Sequence, residues 1–308
     1  MPLDPQVQPI VDFVEAMVAD GPSRSSQTVE ERRAAYLALA AVAGSGPDLD
    51  EVTDRMIPGP AGEIPVRLYR NLGARGVFVF YHGGGYTIGD LDTHDEVCRQ
   101  LAAQSGSTVM AVDYRLAPEH PFPAGIDDAW AALQWADGHR AELGGSADAR
   151  IVVGGDSAGG GFSAVVALMA RDTGLDLAAQ LLVYPVVDLT DESPSMAENG
   201  SGYILDGETM DWFFECYAAD PDDWRASPIR AASLTGVAPA LVITAEFDPL
   251  RDQGAAYADR LAADGVDVTH SPYEGMVHTF FQLGALVDAG ASAVTEVAAA
   301  AEKALGDS

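Results

Sequence analysis

The chain has 308 residues, 48% of them hydrophobic and 21% charged, and 47 acidic against 17 basic residues give a formal net charge of -30. That length and composition fit a folded protein with a large buried core, in one large domain or two small ones, and exclude disorder over most of the chain. So acidic a chain repels nucleic acid and anionic lipid as partners. Its two cysteines, Cys98 and Cys216, cannot build a disulfide framework, and no Cys/His cluster has zinc-ligand spacing.

Val7, Ile10, Val11, Val14, Met17 and Val18 recur at helical spacing and predict a first helix. No basic stretch leads into a continuous apolar core there, and no uncharged apolar run reaches the ~18 residues of a membrane span. A soluble, cytoplasmic protein is the expectation. A second helix is expected over 28–43, after Ser25, Ser26 and Thr28, with Glu30 and Glu31 in its first turn and Gly44, Gly46 and Pro47 ending it. A hairpin follows: Val52–Ile57, a Pro58-Gly59-Pro60 turn, then Ile64–Tyr69.

From there short apolar runs alternate with helical segments. The runs are Val77–Tyr81, Val109–Val112, Ile151–Val153, Leu181–Tyr184, Leu241–Ala245 and Val266–Thr269; helices are expected near 93–104, 126–142, 158–171, 250–263 and 280–304. This pattern predicts an α/β fold: a mostly parallel eight-stranded sheet, the first two strands antiparallel, with helices on both faces. The alanine-rich stretch 291–304 reads as a surface helix. More than fifty residues without a core strand separate Tyr184 from Ala240 and carry Tyr203, Ile204, Leu205, Met210, Trp212, Phe213, Phe214, Tyr217 and Trp224. This insertion, with the N-terminal helices, reads either as a lid or as a second packing layer away from substrate.

Two glycine-rich motifs end apolar strands. Gly155-Asp156-Ser157-Ala158-Gly159 follows Ile151–Val153 and opens a helix, as a nucleophile turn does. His82-Gly83-Gly84-Gly85 follows Val77–Tyr81, where unhindered backbone amides can stabilise an oxyanion together with the amide of Ala158. A serine needs a base. In the chain order serine, acid, histidine, His270 and His278 come late enough; His278, in the turn Glu274–His278 after the last strand, is the better placed. The acid should follow Leu241–Ala245, where Glu246, Asp248 and Asp252 are candidates. Asp248 precedes Pro249 and is favoured, whereas Asp252 suits the first turn of the next helix. No phosphate-binding Gly-Lys-Ser/Thr or Gly-x-Gly-x-x-Gly follows a strand.

These motifs, with Asp113-Tyr114-Arg115-Leu116-Ala117-Pro118-Glu119, Asp248-Pro249-Leu250-Arg251-Asp252 and His278, resemble the hormone-sensitive-lipase-like family of α/β-hydrolases, the bacterial family IV esterases, over roughly residues 50–290. The resemblance implies a helical cap on an α/β-hydrolase domain, here 1–46 with an insertion at about 188–236 on a catalytic domain of 47–308. It implies hydrolysis of small, short-chain carboxylic esters without cofactor or metal, and suggests a homodimer. Residue by residue, Ser157 matches the nucleophile, Asp248 the acid, His278 the base, and Gly84, Gly85 and Ala158 the oxyanion donors. His82 matches a histidine that shapes the glycine loop, and Tyr114–Glu119, extended by His120-Pro121-Phe122-Pro123, a loop that supports the site. An amidase, lactonase or deacetylase with the same triad, or a non-catalytic small-ligand receptor, stays open as an alternative.

Overall fold

Alternation within the apolar runs sets the layering of the molecule. In a computed structural model, which describes residues 2–20, 27–41 and 44–306, one sheet is built from β1 (Glu51–Gly59), β2 (Gly62–Arg70), β3 (Val77–Tyr81), β4 (Thr108–Val112), β5 (Ile151–Asp156), β6 (Ala179–Val183), β7 (Ala240–Phe247) and β8 (Val268–Val277). The helices are α1 (Gln8–Asp20), α2 (Val29–Ala40), α3 (Asp95–Ser105), α4 (Ala124–Gly138), α5 (Arg140–Gly144), α6 (Ala158–Thr173), α7 (Pro194–Asn199), α8 (Gly207–Tyr217), α9 (Arg251–Ala263) and α10 (Asp288–Gly306). The strand order is β1-β2-β4-β3-β5-β6-β7-β8. β2 runs against both of its neighbours, and the remaining pairs are parallel.

Successive side chains of a strand point to opposite faces. Val77, Val79 and Tyr81 of β3 accordingly join Met110, Val112, Ile151 and Val153 beneath α4, α6 and α9. Phe78 and Phe80 join Val109, Ala111 and Val152 beneath α3 and α10. Both faces are dry, so β3, β4 and β5 are buried along their whole length, as parallel strands between two helical layers must be.

Four expectations are corrected. The hairpin closes at Pro60-Ala61 rather than at Pro58-Gly59-Pro60: Gly59 still pairs with Gly62, and the Ile64 side chain leaves no room for a Cβ at Gly59. The helix over 126–142 breaks at His139, between α4 and α5, where the ring Nδ1 meets the Trp135 carbonyl at 2.7 Å. The last helix does not start at 280. Phe280–Leu283 form a 3-10 turn whose side chains are all buried, and α10 begins only at Asp288. The alanine-rich stretch is not simply a surface helix: Ala293, Val294, Val297, Ala298 and Ala301 pack it onto the sheet as part of the core.

The N-terminal segment is fastened at specific points. Val7 and Val11 enter the core around α10; the side chains of Met17 and Val18 lie outside the described residues, as do Ser25, Ser26 and residues 42–43. α2 starts in a capping box, with Thr28 Oγ1 accepting from Glu31 N–H and Glu31 Oε2 accepting from Thr28 N–H. Arg33 then crosses to the body of the protein. It donates to both carboxylate oxygens of Glu119 at 2.8 Å, to the Thr87 carbonyl at 2.9 Å and to the Ala117 carbonyl at 3.1 Å. The ion pair is half-exposed and worth little by itself, whereas the two bonds to backbone carbonyls are charge-assisted. Arg33→Ala should therefore cost about 1–2 kcal/mol in urea unfolding, and Glu119→Gln, which keeps the carbonyl bonds, clearly less.

Candidate active site

Ser157, the His82–Gly85 loop, Asp248 and His278 each stand at the carboxyl end of a parallel strand. β5 ends at Asp156, and Ser157 adopts φ 54 and ψ -119, an unfavourable backbone for a residue with a Cβ. The strain is held by packing. Ser157 N–H donates to the Val183 carbonyl at 2.8 Å, and its own carbonyl accepts from Gly161 and Val186. A Cβ on Gly155 would stand 2.1 Å from the Tyr81 carbonyl oxygen, and one on Gly159 1.9 Å from it. Both glycines are thus required by close approach of β3 to the turn.

Register carries β3 into the same place: Tyr81 pairs with Gly155, so His82 and the glycines after it leave the sheet beside Ser157. Gly84 (φ 117) and Gly85 (φ 56) have left-handed backbones, and a Cβ would meet the Ile88 carbonyl at 2.2 Å and the Phe213 ring at 2.1 Å respectively. The two bonds beside them fix their orientation. Asp156 Oδ1 accepts from Gly83 N–H at 2.9 Å, and His82 Nδ1 lies 2.8 Å from the Gly83 carbonyl and donates to it. A peptide is planar with its N–H and C=O opposed, so a Gly83 carbonyl held toward His82 directs the Gly84 N–H away from His82. Tyr114 stacks on His82 at 4.3 Å and donates to its carbonyl at 2.7 Å. Burial pushes the His82 imidazole down to about 4, so it stays neutral at ordinary pH.

The last pair depends on an irregularity. Ala245 pairs with Tyr273 but Phe247 with Val277, so β8 bulges by two residues around Gly275 (φ 74). Continued without the bulge, the register would set Asp248 beside Met276. With it, Asp248 stands beside His278. Glu246 Oε2 secures the bulge by accepting from Gly275 N–H at 2.7 Å. His278 thus leaves a bulged strand, not the turn expected for Glu274–His278. His278 Nδ1 donates to Asp248 Oδ2 at 2.7 Å, and its Nε2 lies 3.0 Å from Ser157 Oγ. Asp248 Oδ1 accepts from Leu250 N–H at 2.8 Å, and all three residues are buried. The other candidates lie elsewhere. Asp252 binds Ser195 and Arg251, and His270 bonds Thr244 at 2.9 Å partway along β8.

Ser157, His278, Gly84 and Gly85 open into one cavity of about 150 Å³. The insertion divides between the cavity and packing elsewhere. Ile204, Leu205, Met210, Phe213 and Phe214 line the cavity with Tyr36 and Leu39 of α2. Trp212 lies under Arg32 at 3.9 Å, Tyr217 stacks on Tyr86 at 3.9 Å, and Tyr203 packs on Phe247, all away from the cavity. Two residues that the motifs left unread belong here: Asp156, hidden as the variable position of Gly-x-Ser-x-Gly, and His94, which reads as an ordinary helix start. Among the described residues no cluster of His, Cys, Asp and Glu could hold a metal ion.

Comparison with known proteins shows the family and the fold. The sequence pattern of the alpha/beta hydrolase fold matches residues 78–282. The chain belongs to the α/β-hydrolase family. Its motifs place it in the hormone-sensitive-lipase-like, family IV branch. It is 43% identical over 97% of its length, and 82% of the relative's, to the carboxylic ester hydrolase LipN of Mycobacterium tuberculosis. It is 38% identical over 94% of its length, and 95% of the relative's, to an ethyl acetate hydrolase of Pseudomonas putida. Among solved structures, an ester hydrolase from the metagenome of Lake Arreo, in complex with a bipyridine phosphonate derivative, superposes with a TM-score of 0.93 at 41% identity, covering 99% of this chain and 100% of the other.

Two outcomes follow for this α/β-hydrolase from its packed turns. Gly159→Ala must push apart β3 and the serine turn, and should cost about 3 kcal/mol or more; a Tm equal to the wild type's would contradict the close approach. For His82, the folded pKa of about 4 lies below the ordinary 6.5, so the folded state binds fewer protons in that window. Its contribution to stability is complete above pH 6.5 and is lost as pH falls to about 4. Denaturant titrations should show the wild type losing about 2–3 kcal/mol more than His82→Gln between pH 7 and pH 4.

Proposed function

We propose that this α/β-hydrolase is a serine carboxylesterase acting on small, short-chain esters by two-step acyl transfer, with Ser157 as nucleophile, His278 as base and Asp248 as its orienting acid. The observation that carries the reading is the chain Ser157–His278–Asp248, with links of 3.0 and 2.7 Å, open to the same cavity as Gly84 and Gly85. With Nδ1–H donating a hydrogen bond to Asp248, Nε2 keeps a lone pair for the serine proton. Oγ attacks the ester carbonyl, and the amides of Gly84, Gly85 and Ala158 hold the oxygen that becomes negative. The alcohol departs with the proton from Nε2. Water then gives a proton to Nε2 and attacks the acyl carbon; the bond from that carbon to Oγ breaks, Oγ takes the proton back from Nε2, and the carboxylic acid is released.

The size and chemistry of the cavity favour a short acyl group: about 150 Å³ is room for a group the size of a benzene ring, and its walls are mostly apolar. In this reading residues 1–46 and about 188–236 form a cap on the catalytic domain 47–308. The free cysteines Cys98 and Cys216 suit a reducing, cytoplasmic setting, and no described helix is long and apolar enough to cross a membrane.

Ser157→Ala should fold normally and lose at least about a thousandfold in kcat on p-nitrophenyl butyrate. Folded wild type that cleaves no ester from acetate to palmitate would overturn the reading. Met210→Ala, which removes part of the cavity wall, should raise kcat/KM for the octanoate ester relative to the acetate ester.

A further inference from the structure

The buried carboxylate beside the serine finds its partners outside the triad. Asp156 Oδ1 accepts from Gly83 N–H at 2.9 Å and meets His94 Nε2 at 3.1 Å, and both side chains are 1% exposed. Burial by itself would push this carboxyl up, but His94 and the Gly83 amide hold it below the usual carboxylate range. An anion so placed is tolerable only with partners on its oxygens. His94 is held in turn. Its Nδ1 meets Thr93 Oγ1 at 2.9 Å, and its Nε2 meets the side-chain amide of Gln282 at 2.6 Å. Gln282 lies in the 3-10 turn after His278, and the other end of its side-chain amide meets Tyr36 OH at 3.0 Å. Tyr36 belongs to α2 and lines the cavity. One line of side chains therefore runs from the α2 helix, through the segment after the base, to the residue before the nucleophile and the first glycine amide of the oxyanion loop.

We infer that Asp156 and His94 are positioning residues for the oxyanion loop, and that Gln282 and Tyr36 extend their hold to helix α2. The inference rests on the serine-esterase reading and on Gly84 and Gly85 as oxyanion donors. The donors must meet the oxygen at hydrogen-bond distance when it becomes negative. Gly83 N–H is anchored on one side by Asp156 and the Gly83 carbonyl on the other by His82. Release of the Asp156 anchor lets the Gly84 and Gly85 amides drift while Ser157 and His278 keep their places. The loss should fall on the transition state and spare substrate binding.

The test compares steady-state hydrolysis of p-nitrophenyl butyrate with inhibition by an alkyl trifluoromethyl ketone. The serine oxygen adds to the ketone carbonyl to give a hemiketal oxyanion, which reports on the same donors. Asp156→Ala should lower kcat about 10- to 100-fold, less than removal of a donor itself, with KM within about twofold and the ketone Ki raised by a similar factor to the fall in kcat. Asp156→Asn keeps an oxygen for Gly83 N–H and should recover most of both. Gln282→Leu, a milder change that covers the case in which Asp156→Ala does not fold, should show the same signature at about 3- to 10-fold. Folded variants with kcat and ketone Ki within twofold of the wild type would overturn the inference, as would a fall in kcat that leaves the ketone Ki unchanged. Wild type that the ketone does not inhibit, or Ser157→Ala that stays active, would instead overturn the esterase reading beneath it.

Discussion

The approach of the Tyr81 carbonyl to the backbone of Gly155 and Gly159 is the constraint on which the site depends. No Cβ fits at either position, so the end of β3 and the start of α6 lie closer than ordinary strand and helix packing allows. That closeness brings the glycine loop after His82 against Ser157. It also holds Ser157 at φ 54, a backbone that costs energy and persists only where the surroundings over-determine it. The dry helical layers on both faces of β3 and β5 supply that determination.

A second constraint is electrostatic. Two carboxylates, Asp156 and Asp248, are buried close to Ser157. Each lies against an imidazole and a backbone amide: His94 and Gly83 N–H for the first, His278 and Leu250 N–H for the second. The pairing lets a chain of net charge -30 keep anions in its interior. It also separates two tasks in the proposed mechanism, one pair moving a proton while the other holds a loop.

Helix α2 is joined to this arrangement through a few long side chains. α2 reaches the body through Arg33, the insertion through Arg32 stacked on Trp212, and the interior through Tyr36. α8 closes the cavity with Phe213 directly over Gly85, where the absence of a side chain on the glycine makes the contact possible. The wall that sets the cavity's size is therefore also the surface against which the glycine loop rests.

Much was legible in the chain itself. The apolar runs and the helical spacing between them determined a parallel sheet under two helical layers, because each run is too apolar to face water on either side. The glycine motifs after two such runs determined where a nucleophile turn and an oxyanion loop could form, because only glycine permits those close approaches. The chain also favoured Asp248 over Glu246 and Asp252, and His278 over His270; what only the tertiary structure supplies is the contact between the two. A two-residue bulge in β8, held by Glu246, selects which histidine faces which carboxylate, and no local pattern encodes the register between strands. Asp156 and His94 were equally silent: they lie far apart in sequence and acquire meaning only when β3, β5 and α3 bring them together in the interior, where a buried charge must find its partner.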